Sequence, residues 1–528
     1  MKTSLNVGNR WILGSLTAVA ISCVALCCVA LVASASPASV AEEAPSWLTL
    51  AASATAPAYD KKVPAVVILD EQNVKVEEDG RVTTTARYAI KILTNEGKRR
   101  AVAHVTYLTD TGKVREMRAW LIRPSEQVKK YGKDQTLDVS GALNAVFDEV
   151  RAKVIDASDD TEIGAVFGYE CTSEERSVFT QFDWPFQKGR LPTLLSRYSI
   201  TLPTGWRAEG VTFNYPSIEP VVNGSNYSWE LRNLGWIGYE PASPPVTNLA
   251  PRLAVSYFPA AGKAVPGRSF DKWSEVSKWL SELSASQATP NEAMAEKARQ
   301  LVANSSTELQ KIQAIGRFVQ NVNYVSIQTG IGRGGGYKPH LASDVFAKAY
   351  GDCKDKANLM RALLKVVGIE SYLVSIYSGD PTYVREEWPS PQQFNHCIIA
   401  VKASDATQAA TIVRHPVLGR LLIFDPTDDN TPVGDLPDHE QGSLALIVAA
   451  EGGALLRMPE IPAEANKLER QAEVVLAGDG SITAKVRERS TGQAAVEERR
   501  VFRGVALPDY VKQIERWVNH GAAGASVT

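Results

Sequence analysis

The feature that most constrains this chain is a change of hydrophobic period. From about residue 60 to 255 apolar residues recur at every second position, and from about residue 268 they recur every three to four. A period of two buries one face of a sheet and a period near 3.6 buries one face of a helix, so the architecture must change close to residue 256. In the first region Val74 and Val76 alternate with Lys75 and Glu77, Asp79-Gly80 supplies a tight turn, and Val82, Thr84, Ala86, Tyr88, Ile90 and Ile92 line one face of the return strand. Tyr198, Ile200 and Leu202 repeat the alternation ahead of Pro203-Thr204-Gly205. An all-β, sandwich-like domain over residues 42–255 follows, with the proline-dense stretch 241–251 as a linker.

The helical region begins with Trp273, Val276, Leu280 and Leu283 on one face. Thr307 and Gln310 form a capping box for a helix carrying Ile312, Ile315, Val319 and Val322. Asp352 caps a further helix that runs to Val367 and is closed by Gly368. Strands follow at 371–377, 395–402 and 421–425, which makes residues 256–451 an α+β domain. From 452 to 528 the pattern is mainly β, with a hairpin at Asp479-Gly480 and a short helix from Pro508 carrying Val511, Ile514 and Val518. The closing Gly-Ala-Ala-Gly-Ala-Ser-Val-Thr suggests that this last region is incomplete.

With 528 residues the chain is too long for one core and divides into several domains. Its 57 basic and 59 acidic residues nearly cancel, which gives no support for a nucleic-acid partner. Lys2 and Arg10 precede an uncharged, Ala-, Val- and Leu-rich run from Trp11 to Ala35, so residues 1–41 read as an export signal or an uncleaved membrane anchor. The remainder is expected to be periplasmic or extracellular, touching a membrane only through that segment. Three of the six cysteines lie in the leader, leaving Cys171, Cys353 and Cys397. An odd count is no disulfide framework, and Cys171 reads as a small buried hydrophobe.

Cys353 is different, because it sits at a helix start, where unpaired backbone N–H groups and the helix dipole stabilise a thiolate. Ala357, Met360, Leu364 and Val367 share its stripe, so the thiol is partly sheltered. Downstream stand His396 and Asp425, the latter at a strand end before Pro426. An imidazole that takes the thiol proton and a carboxylate that orients the ring would let the sulfur attack an amide carbonyl and form a thioester. Alternation along 395–402 places His396 and Cys397 on opposite faces, so the two are not expected to face Cys353 together. The backbone N–H of Cys353 with Tyr350 or Gln328 are oxyanion-hole candidates. The glycines from Gly330 to Gly335 match a nucleotide-loop pattern, but no helix opens behind them and a loop flanking a cleft is the better reading. Scattered histidines suggest no metal.

Gly351-Asp352-Cys353-Lys354-Asp355-Lys356-Ala357, Asn395-His396 and Asp425-Pro426-Thr427 together resemble the three motifs of the bacterial transglutaminase-like superfamily, whose fold is similar to papain-like cysteine peptidases. The β region before them resembles DUF3857, the domain that commonly accompanies it. The resemblance implies Cys353 as nucleophile, His396 as general base and acid, and Asp425 as orienting carboxylate, with a protein or peptide substrate and no cofactor. Ile398 departs from the aromatic residue many members carry there, and the final β region is shorter than usual. The other reading is a non-catalytic cell-envelope binding or scaffold protein with a vestigial triad, its β domains contacting an envelope partner.

Overall fold

The computed structural model describes residues 43–141, 147–260, 267–328 and 336–527, so the expected leader and the glycine loop 330–335 lie outside the described residues. The first hairpin forms where alternation and the Asp-Gly turn place it. Strands Ala65–Val76 and Arg81–Ile92 pair antiparallel, and Gly80 takes the left-handed conformation the turn requires (φ 79°). They occupy the centre of an eight-stranded sheet that also contains Thr193–Thr201, Val166–Arg176 and Gly112–Ile122. One neighbour pair, Ala65–Val76 with Thr193–Thr201, is parallel.

Two three-stranded sheets pack on one face of this large sheet. The core under one contains Ala65, Val67, Ile90, Phe167 and Ile155, and the core under the other contains Val74, Val76, Tyr198, Trp229 and Val255. Val67 and Val74 differ in parity yet share a face, because a β-bulge between Val67 and Leu69 inserts one residue. The opposite face is covered by the helix Ser46–Ala52, whose Leu48 is fully buried against Gly168. A Cβ at Gly168 would lie 2.4 Å from Leu48 Cδ1, so the close approach depends on the missing side chain.

The α+β domain is built on a six-stranded antiparallel sheet in the order Ile412–His415, Gly419–Phe424, His396–Lys402, Ser371–Ile376, Leu444–Val448, Leu455–Arg457. Helices Trp273–Ala285, Glu308–Gln320 and Cys353–Val366 share a core with one face, through Ile312, Ile315, Met360, Leu364, Ile399 and Phe424. The other face carries Val374, Ile398, Ile423, Leu436 and Met458. A helix the sequence reading did not contain, Glu292–Val302, is capped by Asn291, whose side chain accepts from Met294 N at 3.0 Å.

The connection from 377 to 395, which delivers His396, is pinned to the β domain. Gln181 Nε2 donates to Pro389 O (3.0 Å), Trp388 Nε1 to Ser256 Oγ (3.3 Å), and Arg385 Nη2 to Asn214 Oδ1 (2.8 Å). At the other end, the hairpin Leu468–Leu476 and Ile482–Ser490 turns at Asp479-Gly480 as expected. Two helices follow, Gly492–Gly504 and Leu507–Gly521, where the sequence reading had one short helix. Gln493 Nε2 to Leu436 O and Arg499 Nε to Asn430 O, both 2.8 Å, tie the first of them to the segment after Asp425. Among the described residues no helix is long and apolar enough to cross a membrane.

Candidate active site

Cys353 opens its helix because everything before it stops the chain and everything after it starts a turn. Ala349 ends the helix Ala342–Lys348 in a left-handed conformation (φ 56°), and Tyr350–Gly351 then pairs in parallel with Asn323–Tyr324. Gly351 has no room for a side chain, since a Cβ would stand 2.6 Å from Asp355 Cβ. Asp352 is the N-cap: its Oδ1 accepts from Asp355 N (3.2 Å) while Asp355 Oδ2 accepts from Asp352 N (3.3 Å), a reciprocal box. The Lys354 ammonium pairs with Asp352, and both are buried.

Asp355 and Lys356 are engaged in holding the frame. Asp355, fully buried, accepts from His340 N (2.8 Å) and contacts His340 Nδ1 (2.9 Å), tying the loop before the helix to its first turn. Burial would raise its carboxyl, but the His340 hydrogen bond and the Lys354 charge bring it below the ordinary value. Lys356 Nζ donates to the carbonyls of Gln320 (3.1 Å) and Val322 (2.8 Å), at the end of the helix Glu308–Gln320. Those contacts, with the Asn323–Tyr324 pairing, set Tyr324 beside the turn that carries Cys353.

His396 begins its strand opposite Ile376, and Asn395 fixes the approach by accepting from Ser378 N (2.7 Å) and donating to Ser378 O (3.0 Å). His396 Nε2 lies 3.2 Å from Asp425 Oδ2, and the ring lines the same cavity as the Cys353 thiol. Asp425 follows the strand Gly419–Phe424 and is held by Thr427, whose N donates to Oδ1 (2.8 Å) and whose Oγ1 donates to Oδ2 (2.9 Å). Burial works against a charged imidazole, yet the Asp425 charge, its hydrogen bond and then the Cys353 thiol outweigh it and hold His396 well above its ordinary value. Burial would likewise raise Asp425, and the His396 charge and the hydrogen bonds from His396 and Thr427 bring it down. The structure thus brings together the three residues Cys353, His396 and Asp425 singled out in the sequence.

One expectation fails. Cys353, His396 and Cys397 all line the same cavity, although strand alternation argued against His396 and Cys397 both facing the thiol. Within the strand the alternation holds, with Ile399 and Val401 on the helix side and Ile398 and Ala400 on the other. It fixes the direction of Cβ, however, and His396 is the first residue of the strand, where a long ring can reach past the sheet end. Cys397 sits behind it with its thiol pushed far up, by burial first and then by Cys353 and Asp352.

The cavity has a volume of about 470 Å³, and its wall mixes apolar and aromatic side chains (Leu280, Tyr324, Ile327, Tyr337, Phe394 and Val448) with the polar Asp352, Lys354, Ser375 and Asn395. Tyr324 is a hydroxyl that sequence alone did not mark; partial burial and then its neighbours Cys353, Asp352 and Asp425 push its phenol up. Tyr350, the candidate chosen instead, does not line the cavity, because it lies on the far side of the two-residue strand pair. Gln328 has its backbone in a short pair with Phe147–Asp148, and its side chain lies outside the described residues. Cys171 is buried and its thiol is pushed up to about 12 by burial, as befits a packing residue.

The other residue the sequence gave no reason to choose is Glu440. It is fully buried, with Oε1 3.5 Å from His396 Nε2. The donor atoms of His396, Asp425 and Glu440 lie within 4.8 Å of one another, close enough to share a proton or to admit a small cation. No local signal marks Glu440, which lies in the short turn Asp438–Glu440.

A thiol at a helix N-terminus, a histidine from the first position of a facing strand and a carboxylate from the end of the next strand define a papain-like α+β fold. Residues 295–407 match the family model of the transglutaminase-like superfamily, and residues 78–236 match that of a domain of unknown function with a solved structure, DUF3857. The chain carries both domains in the order its motifs implied. A crystal structure of a candidate protease from Parabacteroides distasonis is similar at a TM-score of 0.57 and 14% identity, over 79% of this chain and 78% of that one. A candidate cysteine protease from Cytophaga hutchinsonii aligns over 78% of this chain and 90% of its own at 10% identity, with a TM-score of 0.20 that carries no weight. None of the curated proteins matches the chain.

Proposed function

We propose that this is an exported cysteine-dependent acyl-transfer enzyme acting on peptide or glutaminyl amides. The observation that carries the reading is a single ring, His396, held 3.2 Å from Asp425 and lining the same cavity as the Cys353 thiol. His396 takes the thiol proton and Asp425 stabilises the imidazolium. The thiolate adds to the amide carbonyl, the C–N bond breaks as His396 returns its proton to the leaving amine, and a thioester on Cys353 remains. The Cys353 backbone N–H at the helix start and the Tyr324 hydroxyl are the donors available to the developing oxyanion.

Water would complete hydrolysis and an amine would complete transamidation. Leu280, Tyr337, Phe394 and Val448 offer room for an apolar substrate side chain, and Ser375 and Asn395 offer polar contacts beside it. The charged start and apolar run of residues 1–35 support export. Acid-quenched mass spectrometry after incubation with an amide peptide is the test: an acyl adduct on Cys353, released by hydroxylamine and absent from Cys353→Ala, is expected. Equal turnover by the wild type and Cys353→Ala would refute it.

A further inference from the structure

Glu440 is an ionisable side chain buried against the Cys353–His396–Asp425 line without a donor of its own. It is 0% exposed, and neither carboxyl oxygen receives a hydrogen bond. Its Oε1 stands 3.5 Å from His396 Nε2, the same nitrogen that lies 3.2 Å from Asp425 Oδ2. One ring N–H carries one proton and cannot satisfy both carboxyls.

Asp425 holds the stronger claim, because it is nearer and also receives the Thr427 backbone N–H at 2.8 Å and the Thr427 hydroxyl at 2.9 Å. The charged groups that face Glu440 are Asp425, His396 and Asp428, two acids against one imidazole. Two dry carboxylates beside a single imidazolium would leave one negative charge buried and unpaired, which a protein interior penalises heavily. A proton on Glu440 removes that charge and supplies the donor its position lacks.

We infer that Glu440 is a fourth, positioning member of the site: a neutral carboxylic acid whose O–H donates to Asp425 and keeps that carboxylate turned toward His396. The inference rests on the proposed Cys353–His396–Asp425 site. Glu440 neither gains nor loses a proton during the cycle. Burial, followed by the Asp425 charge, pushes its carboxyl well above the ordinary range, which agrees with the geometry. The turn that carries Glu440 is thereby linked to the chemistry through one hydrogen bond, and its placement governs the orientation of His396.

Infrared spectroscopy and alkylation together test this. The wild-type protein at about pH 7 should show the carbonyl stretch of a protonated carboxyl, and Glu440→Gln should lose it. Glu440→Gln, neutral and still a donor, should keep the wild-type pH profile of Cys353 alkylation by iodoacetamide. Glu440→Ala should alkylate roughly tenfold more slowly at the acid end, the worth of one charge-assisted hydrogen bond. A wild type without a protonated carboxyl at that pH overturns the inference. So does a Glu440→Gln profile displaced by about one unit or more, the mark of a removed charge. Calorimetric zinc binding to the wild type that Glu440→Gln abolishes overturns it as well, since a cation would then stand where the proton is placed. If the variants fail to fold, a pH titration of wild-type protein carrying ¹³C-glutamate decides: one glutamate still protonated at neutral pH supports the inference, and complete ionisation refutes it. The infrared readout is independent of turnover, so a missing acyl-enzyme with the carboxyl band present counts against the proposed function alone.

Discussion

Asp355→Ala should cost stability through a contact that has no part in the chemistry. Asp355 is fully buried and accepts from His340 N (2.8 Å) and Asp352 N (3.3 Å), with His340 Nδ1 at 2.9 Å. Truncation leaves two backbone donors and a ring without their acceptor. Breaking a buried, hydrogen-bonded ion pair by removing one partner costs about 3–5 kcal/mol, and because the His340 side chain is 31% exposed and can turn to water, the lower end, about 3 kcal/mol, applies here. For a domain of this size that corresponds to a fall in Tm of roughly 6–12 °C. Calorimetry or urea unfolding reads it directly.

The effect also has a pH signature. His340 is held above its ordinary value chiefly by the Asp355 hydrogen bond, so its contribution is full below about pH 6.5 and is lost as pH rises through the raised value. Asp355 is depressed, so its contribution is present above about pH 4 and is lost as pH falls through the lowered value. The gap between wild type and Asp355→Ala should therefore be widest between about pH 4 and 6.5. A variant within about 1 kcal/mol of wild type across that window would refute the structural role. Unchanged stability with abolished Cys353 reactivity would reassign Asp355 to the chemistry.

Three further outcomes follow from the same geometry. Tyr324→Phe should slow acyl-enzyme formation by roughly 10²-fold while leaving Cys353 alkylation near wild type, because an oxyanion donor acts on the substrate oxygen and not on the thiolate; single-turnover kinetics separates the two. Leu48→Ala should destabilise the β domain by about 2–5 kcal/mol, since Leu48 is fully buried against Gly168; denaturant unfolding measures it. For the His396–Asp425 pair, His396 is raised and Asp425 depressed, so their mutual stabilisation should be full between about pH 4 and 6.5 and fade on either side, and Asp425→Asn should flatten that profile in thermal melts.

What the sequence disclosed divides by range. The first hairpin was legible because alternation and Asp79-Gly80 are both local, and the helix Glu308–Gln320 because Thr307 and Gln310 sit three residues apart. Cys353 was legible because Asp352 caps its helix. The helix Glu292–Val302 was missed although Asn291 caps it, since its buried face shows only Met294 and Ala298. Tyr324 and Glu440 were hidden for another reason: each reaches the site through tertiary pairing, one through the strand pair with Tyr350–Gly351 and one through a short turn packed behind His396. Strand phase put Cys397 on the helix side with Ile399 and Val401, as the structure has it, but not His396 in the same cavity, because a periodicity describes the middle of a strand and His396 stands at its first residue.

The most direct measurement of the central claim is the rate of Cys353 alkylation by iodoacetamide as a function of pH, with the modified residue located by mass spectrometry so that Cys397 is counted separately. Rapid labelling of Cys353 below about pH 7 that is lost in His396→Ala is expected, as an imidazole-activated thiolate requires. Labelling that rises only near about pH 8.5 and is indifferent to His396→Ala would contradict it.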